Sequence, residues 1–82
     1  MMEKGHHIKE RFPDKIHDLS SLMAENSEFL DLCEDYDVCV DALQYWTRSE
    51  EPEARNRVGE YRNLAREIEN EIAQALQSLK PN

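Results

Sequence analysis

The acidic side chains in the middle of the chain are the first candidates for chemistry. Seven of them follow one another without an intervening lysine or arginine: Glu25, Glu28, Asp31, Glu34, Asp35, Asp37 and Asp41. Carboxylate oxygens that converge on one point bind hard cations such as calcium. On a helix, with about 100° of rotation per residue, these positions diverge around the exterior instead. The preferred interpretation is a solvated acidic face, and the alternative is a cation-binding module that uses Asp31, Glu34, Asp35 and Asp41.

Two cysteines and two adjacent histidines are the other side chains that commonly react or bind metals. If Cys33 and Cys39 share a helix, their Cα atoms are about 9 Å apart, beyond the ~7 Å limit for a disulfide. One such pair also provides too few ligands for zinc, so both cysteines are predicted to be buried apolar residues. His6 and His7 could bind a metal weakly, but residues 1–12 are predicted to form a flexible N-terminal tail.

Catalysis is not indicated by the spacing of any of these residues. The serines and cysteines have no base at a recognisable spacing, and two glycines are too few for a glycine-rich phosphate loop. The fold predicted below, a hairpin of two helices, also lacks the concave, water-excluding site that catalysis usually needs. We therefore predict that the protein is not an enzyme and that it has no catalytic residue, no metal and no cofactor.

The overall charge restricts the classes of partner. The chain has 82 residues and a formal net charge of −8. A nucleic-acid-binding protein needs a positive face for the phosphates, and anionic membranes attract basic segments, so neither is an expected partner. No apolar stretch approaches the ~20 residues of a membrane-spanning helix, and the first residues do not resemble a secretory signal. A cytoplasmic location is the expectation.

Two series of apolar residues at helical spacing must position these side chains. The first series is Phe29, Leu32, Tyr36, Cys39, Leu43 and Trp46. The second series is Ala54, Val58, Tyr61, Ala65, Ile68, Ile72, Ala75 and Leu79. A short polar break over residues 47–52, with Ser49 as the N-cap of the second helix, makes the two helices neighbours. The predicted fold is all-α, an antiparallel helical hairpin in a single domain over residues 13–80.

A short helix is predicted before the hairpin. Pro13 and Asp14 are typical of a helix start, and Asn26 is a candidate cap for the next helix. These residues predict a separate helix over residues 14–24, with a break at Asn26. The seven-residue apolar repeat from Leu22 to Leu43 leaves open one continuous helix through that position.

Ion pairs across the hairpin are the expected counterpart of the acidic face. Like charges on neighbouring turns oppose helix formation by a few tenths of a kcal/mol per pair. We expect Arg62 to pair with Asp37 or Asp41. In the same arrangement, Arg66 pairs with Glu34 or Asp35.

The apolar faces of both long helices are wider than one hairpin contact requires. A wide stripe is typical of a bundle helix that contacts more than one neighbour, and so small a domain gains little stability from a single core. We expect a homodimer that forms a four-helix bundle to cover the remaining apolar surface. The alternative is that the short N-terminal helix folds over the hairpin and covers it. On the outer face, Glu34, Val38, Asp41 and Tyr45 are the candidate residues for binding a protein partner.

The pattern of residues over approximately 14–79 resembles the YdcH-like family, small bacterial proteins of unknown function that form a helical hairpin. The residues that carry this resemblance are Asn26-Ser27-Glu28-Phe29, Leu32, Tyr36, Leu43, Leu64-Ala65-Arg66-Glu67-Ile68, Ile72 and Leu76. The resemblance implies a hairpin and no catalytic residue. The expected function is a non-catalytic, self-associating protein–protein interaction module, and the alternative is an acidic module that binds cations or mimics nucleic acid.

Overall fold

All regular secondary structure over residues 5–79, the part of the chain that the computed structural model describes, is helical. The helices are α1 (His6–Arg11), α2 (Ile16–Glu25), α3 (Ser27–Arg48) and α4 (Ala54–Ser78), with a 3-10 turn at Pro13–Lys15. The long helices α3 and α4 contain 22 and 25 residues and pack against each other. No strand occurs within these residues, so the predicted all-α class with two long helices is confirmed.

The predicted break at Asn26 is confirmed. Its backbone is extended, with φ −134° and ψ 107°, and its Oδ1 accepts hydrogen bonds from the backbone N–H groups of Glu28 (3.0 Å) and Phe29 (3.1 Å). These N–H groups belong to the first turn of α3, which has no carbonyl partners of its own. The asparagine side chain therefore fixes where α3 begins, and α2 ends one residue earlier.

The connection between α3 and α4 differs in detail from the prediction. Ser49 follows the last residue of α3, and its Oγ accepts a hydrogen bond of 3.1 Å from the backbone N–H of Glu51. The helix α4 begins only at Ala54, with Glu53 at its N-cap position and no side-chain cap. Ser49 is thus not the N-cap of α4, because its side chain stabilises the turn between the two helices.

The core is formed by one buried side of each helix. Its buried residues are Ile8, Leu19, Phe29, Cys33, Tyr36, Cys39, Ala65, Ile68, Ile72 and Leu76. Most of the members from α3 and α4 belong to the two predicted apolar series, whereas Cys33 and Leu76 lie beside them. That additional width is used by the N-terminal helices, since α1 and α2 both contact α3. The interpretation of both cysteines as buried residues is confirmed.

Residues 5–12 pack on the rest of the fold instead of forming part of the flexible tail predicted for residues 1–12. They include α1, whose Ile8 is completely buried in the core. Burial of one isoleucine contributes roughly 1.5–3 kcal/mol, which offsets part of the conformational entropy that the segment loses when it packs against α3. The remainder of the predicted tail, residues 1–4, lies outside the described residues. No helix over residues 5–79 has the length and apolar character needed to cross a membrane.

Candidate functional site

Asp37 connects α3 to the first turn of α1. Its Oδ2 accepts a hydrogen bond of 2.7 Å from the backbone N–H of Gly5, and its Oδ1 accepts one of 3.1 Å from that of His7. A helix has no carbonyl partners for the N–H groups of its first turn, and a carboxylate there also interacts favourably with the helix dipole. Gly5 makes this approach possible because its φ of 77° lies in the left-handed region.

The two histidines lie beside this carboxylate. Nδ1 of His6 is 3.9 Å from Oδ1 of Asp37, and Nε2 of His7 is 2.8 Å from Oδ1 of Asp41. The centroids of the two imidazole rings are 3.8 Å apart. The acidic side chains of α3 and the histidines of α1 therefore form one cluster, which we call the His-Asp cluster (His6, His7, Asp37 and Asp41).

Three members of the His-Asp cluster are placed to share a metal ion. His6, His7 and Asp37 each offer one ligand atom, and these three atoms lie within 4.8 Å of one another. All three residues are half-buried. Within residues 5–79, Nδ1 of His6 is buried and has no hydrogen-bond partner. An imidazole nitrogen of this kind is available to coordinate a cation.

The four acidic residues that the sequence offers as a cation site do not converge on one point in this way. Within the described part of the chain, the converging potential ligands are those of His6, His7 and Asp37. Asp31 and Asp35 are exposed on α3, as expected for a solvated face. The tail predicted for residues 1–12 does not bring His6 and His7 near α3, so the sequence alone does not predict their contribution. Its only signal in the sequence is Ile8, one apolar residue at helical distance from Phe12.

The predicted ion pairs across the long helices are not those that form. Both oxygens of Asp37 accept hydrogen bonds from backbone N–H groups at the start of α1, and Oδ1 of Asp41 contacts His7 of α1. The ion pairs described over residues 5–79 do not include Arg62 or Arg66. The pairing of Arg62 with Asp37 or Asp41 is therefore wrong, because α1 contacts the side of α3 on which these acids lie.

A second polar network joins α1, α3 and α4. The hydroxyl of Tyr36 donates a hydrogen bond to Oε2 of Glu69, and Nε of Arg11 lies 3.5 Å from the same oxygen. Tyr36 is almost completely buried. Burial and, next in size, the hydrogen bond with the Glu69 carboxylate raise the pKa of Tyr36 above its ordinary value. The network compensates the cost of burying a hydroxyl group and positions α1 against α4.

Both thiols lie in apolar surroundings that disfavour the thiolate. Burial, assisted by the negative charge of Asp37, raises the pKa of Cys33 from 9.0 to about 11. Burial also raises the pKa of Cys39, whose Sγ donates a hydrogen bond of 3.1 Å to the carbonyl oxygen of Tyr61. Because the thiolate is the reactive form of cysteine, these residues act as packing groups.

An open groove between α3 and α4 is the second candidate site. It has a volume of about 400 Å³. Its lining residues are Leu32, Asp35, Val38, Cys39, Tyr61, Leu64, Ile68 and Glu71. None of them belongs to α1 or α2. Val38 is 67% exposed and Leu64 is 44% exposed, so the groove presents apolar side chains to solvent on a side that the N-terminal helices do not cover.

The four candidate partner-binding residues follow one another at helical spacing along α3, between α1 and the groove. Val38 lines the groove, and Asp41 contacts His7. Glu34 is half-buried and makes an interaction within the fold. Tyr45 is 59% exposed and packs edge-to-face on Trp46, with 5.1 Å between the ring centroids. Of the four, Val38 and Tyr45 offer apolar surface to a partner.

No family model matches the chain, and comparisons with curated proteins and with solved structures find no match. The resemblance to the YdcH-like family therefore stays a prediction.

Proposed function

We propose that the protein is a non-catalytic helical module that self-associates as a homodimer through the groove between α3 and α4. The observation that carries this proposal is the exposure of Val38 and Leu64 in a groove whose lining is mostly apolar. Removing apolar surface from water contributes roughly 25 cal/mol per Å². A second copy of the chain provides such surface by the same residues, as an interface with twofold symmetry requires.

The two long helices form an antiparallel hairpin in this proposal. Two contacts support this orientation: Tyr36 of α3 bonds to Glu69 of α4, and Cys39 bonds to Tyr61. A later position on α3 thus meets an earlier position on α4. Two hairpins that stack through their grooves place four long helices side by side, which is the arrangement of a four-helix bundle.

The arrangement of the N-terminal helices supports a second copy on this side of the hairpin. Ile8 of α1 and Leu19 of α2 are completely buried in the core, so these helices already cover apolar surface of α3. The groove between α3 and α4 receives no residue from them. The alternative to a dimer is that an N-terminal helix folds over the hairpin and covers its apolar surface. Helices α1 and α2 cover only one side in this way, so the other apolar side is available for the dimer.

A basic amphipathic helix of another protein is the second candidate occupant. Asp35 of α3 and Glu71 of α4 belong to the lining of the groove. A helix that lays an apolar face into a groove of this kind uses flanking charges for specificity, and acids on the rim favour lysine or arginine in the partner. The same acids oppose a second copy of the chain, since like charges then approach each other.

The dependence of binding on salt distinguishes these two occupants. Salt screens exposed charges over about 10 Å at 0.1 M ionic strength. If the occupant is a second copy, the dimer dissociation constant falls as salt is raised, because the repulsion between rim acids is screened. If the protein stays monomeric in sedimentation equilibrium at both low and high salt, the dimer proposal is wrong. Affinity for an added Leu- and Lys-rich amphipathic peptide that weakens with salt supports the second candidate.

The proposed function is compatible with the expected cytoplasmic location and with the expected absence of catalysis. Two free, buried thiols suit a reducing compartment. The groove is open to solvent, whereas catalysis usually needs a site that excludes water. Mimicry of nucleic acid by the acidic face is less well supported, because Asp37 and Asp41 are engaged by α1.

A further inference from the structure

We propose that His6, His7 and Asp37 form a zinc-binding site that fastens α1 to α3. This site is separate from the groove, and the proposal does not depend on self-association. The three residues come from two helices about thirty positions apart in the sequence, and their ligand atoms lie within 4.8 Å of one another. In a tetrahedral zinc site with bonds of about 2.1 Å, neighbouring ligand atoms are about 3.4 Å apart. Rotation of the side chains brings the three ligand atoms to this separation.

Nδ1 of His6 is the first donor. Over residues 5–79 this atom is buried without a hydrogen-bond partner, at 3.9 Å from Oδ1 of Asp37. A buried polar atom without a partner costs roughly 1–3 kcal/mol, so a native structure normally satisfies it. A cation between the imidazole and the carboxylate satisfies the lone pair of the ring nitrogen and the charge of Asp37 together.

His7 is held in the orientation of a metal ligand. Its Nε2 is 2.8 Å from Oδ1 of Asp41, so this ring nitrogen carries the proton when Asp41 accepts the hydrogen bond. The lone pair for the metal is then on Nδ1, which lies 3.8 Å from Oε1 of the exposed Glu10, beyond hydrogen-bond distance. Metal-binding histidines commonly donate their other N–H to a carboxylate in this way, which fixes the tautomer and the ring position. Asp41 is thus a positioning residue and not a ligand.

Asp37 retains the capacity to coordinate a metal while it caps α1. Each of its oxygens accepts one backbone hydrogen bond, from Gly5 or from His7. A carboxylate oxygen accepts at two positions, so one lone pair of Oδ1 stays available next to the histidines. The two backbone N–H groups would orient this ligand in the same way that Asp41 orients His7.

The set of donors favours zinc over calcium or magnesium. Two imidazole nitrogens and one carboxylate oxygen, with a water molecule in the fourth position, are a common ligand set for Zn²⁺. Calcium and magnesium bind through oxygen ligands and seldom through imidazole. A metal that requires α1 to be packed on α3 binds the folded state alone and therefore stabilises it.

Calorimetric titration of the metal-free, full-length protein with zinc chloride tests the site. The critical variant is His6→Gln, and the matched control is His17→Gln, which removes an exposed histidine of α2. We expect one zinc per chain in the wild-type protein and in His17→Gln, and affinity lower by more than about tenfold in His6→Gln. We also expect no heat beyond dilution with calcium chloride or magnesium chloride.

Thermal unfolding with and without zinc chloride is the second readout, and it shows that each variant is folded. The expected result is a higher Tm with zinc for the wild-type protein and for His17→Gln, and no increase for His6→Gln. A wild-type protein that gives no heat with zinc overturns the proposal. Equal zinc affinity in His6→Gln and His17→Gln also overturns it, because binding then involves other groups, such as the two thiols.

Discussion

The backbone N–H of Gly5 donates a hydrogen bond of 2.7 Å to Oδ2 of Asp37, across 32 positions of the sequence. This contact joins the start of α1 to the middle of α3, and it explains why an acid of the outer face is only 15% exposed. The acidic face of α3 is therefore divided. One part of it holds the N-terminal helix, and the remainder is directed to solvent and to the groove.

Replacing Asp37 tests whether this carboxylate holds α1. Asp37→Ala removes the acceptor of two backbone N–H groups, and hydrogen bonds to charged groups contribute roughly 1.5–3 kcal/mol each. We expect the free energy of unfolding to fall by about 3 kcal/mol, the lower end of the sum for two such bonds, in urea denaturation followed by circular dichroism. Asp31→Ala, at an exposed position of the same helix, is the control and should change it by less than about 0.5 kcal/mol. Equal effects of the two substitutions contradict this role.

The two glycines should respond to alanine in opposite directions. At Gly5, φ is 77° and an added Cβ would lie 2.9 Å from Sδ of Met23, so Gly5→Ala should destabilise the fold by about 1–2 kcal/mol. At Gly59, inside α4, an added Cβ has nothing within 4 Å among the described residues. Gly59→Ala should therefore stabilise the fold by up to about 1 kcal/mol. Thermal unfolding of both variants measures the signs, and a stabilising Gly5→Ala is the contradictory result.

Removing the hydroxyl of Tyr36 tests the network with Glu69. Tyr36→Phe keeps the ring in the core but leaves the half-buried carboxylate of Glu69 with one hydrogen-bond donor fewer. We expect a loss of about 1–2 kcal/mol in the free energy of unfolding. Tyr45→Phe removes a hydroxyl from an exposed ring and should have almost no effect. A Tyr36→Phe protein as stable as the control contradicts the contribution of this network.

The buried thiol of Cys33 predicts a loss of stability in alkaline solution. Its pKa is raised from 9.0 to about 11 in the folded protein, so the folded state binds the thiol proton more tightly than the unfolded state does. The stabilisation is complete below pH 9.0 and is lost as pH rises to about 11. Tyr36, whose pKa is also raised, contributes in the same direction.

The comparison with Cys33→Ala isolates the contribution of the thiol. This variant is less stable at neutral pH because it leaves a small cavity. Between pH 9.0 and about 11, however, its free energy of unfolding should fall less steeply than that of the wild-type protein. Urea denaturation at several pH values provides the slopes. Parallel slopes for the two proteins would show that Cys33 does not titrate differently in the folded and unfolded states.

Helical periodicity was sufficient to predict the long elements but not the contacts of their polar side chains. The apolar series through Phe29 and Tyr36 and the cap at Asn26 determine α3 locally, so they are visible in the sequence. The helix α1 has six residues, too few for a periodic pattern. Its position depends on Asp37 and on burial of Ile8, which are contacts with a distant part of the chain.

The error in the predicted ion pairs has the same origin. A hairpin of α3 and α4 alone, as predicted from the sequence, would place Asp37 and Asp41 near α4, and Arg62 is then a reasonable partner. The presence of α1 beside α3 provides nearer partners, since backbone N–H groups and His7 are within hydrogen-bond distance of these acids. A local pattern of charges does not indicate which third element will occupy the intervening space.

Sedimentation equilibrium of two matched variants tests the central proposal, self-association through the groove. Leu64 lines the groove and is 44% exposed, whereas Ile16 lies on α2, outside it, and is 45% exposed. Each is replaced by lysine, so the two variants lose similar apolar surface and gain the same charge. We expect a dimer for the wild-type protein and for Ile16→Lys, and a folded monomer for Leu64→Lys at the same concentration. A wild-type monomer, or a Leu64→Lys variant that dimerises as strongly as Ile16→Lys, contradicts the proposal.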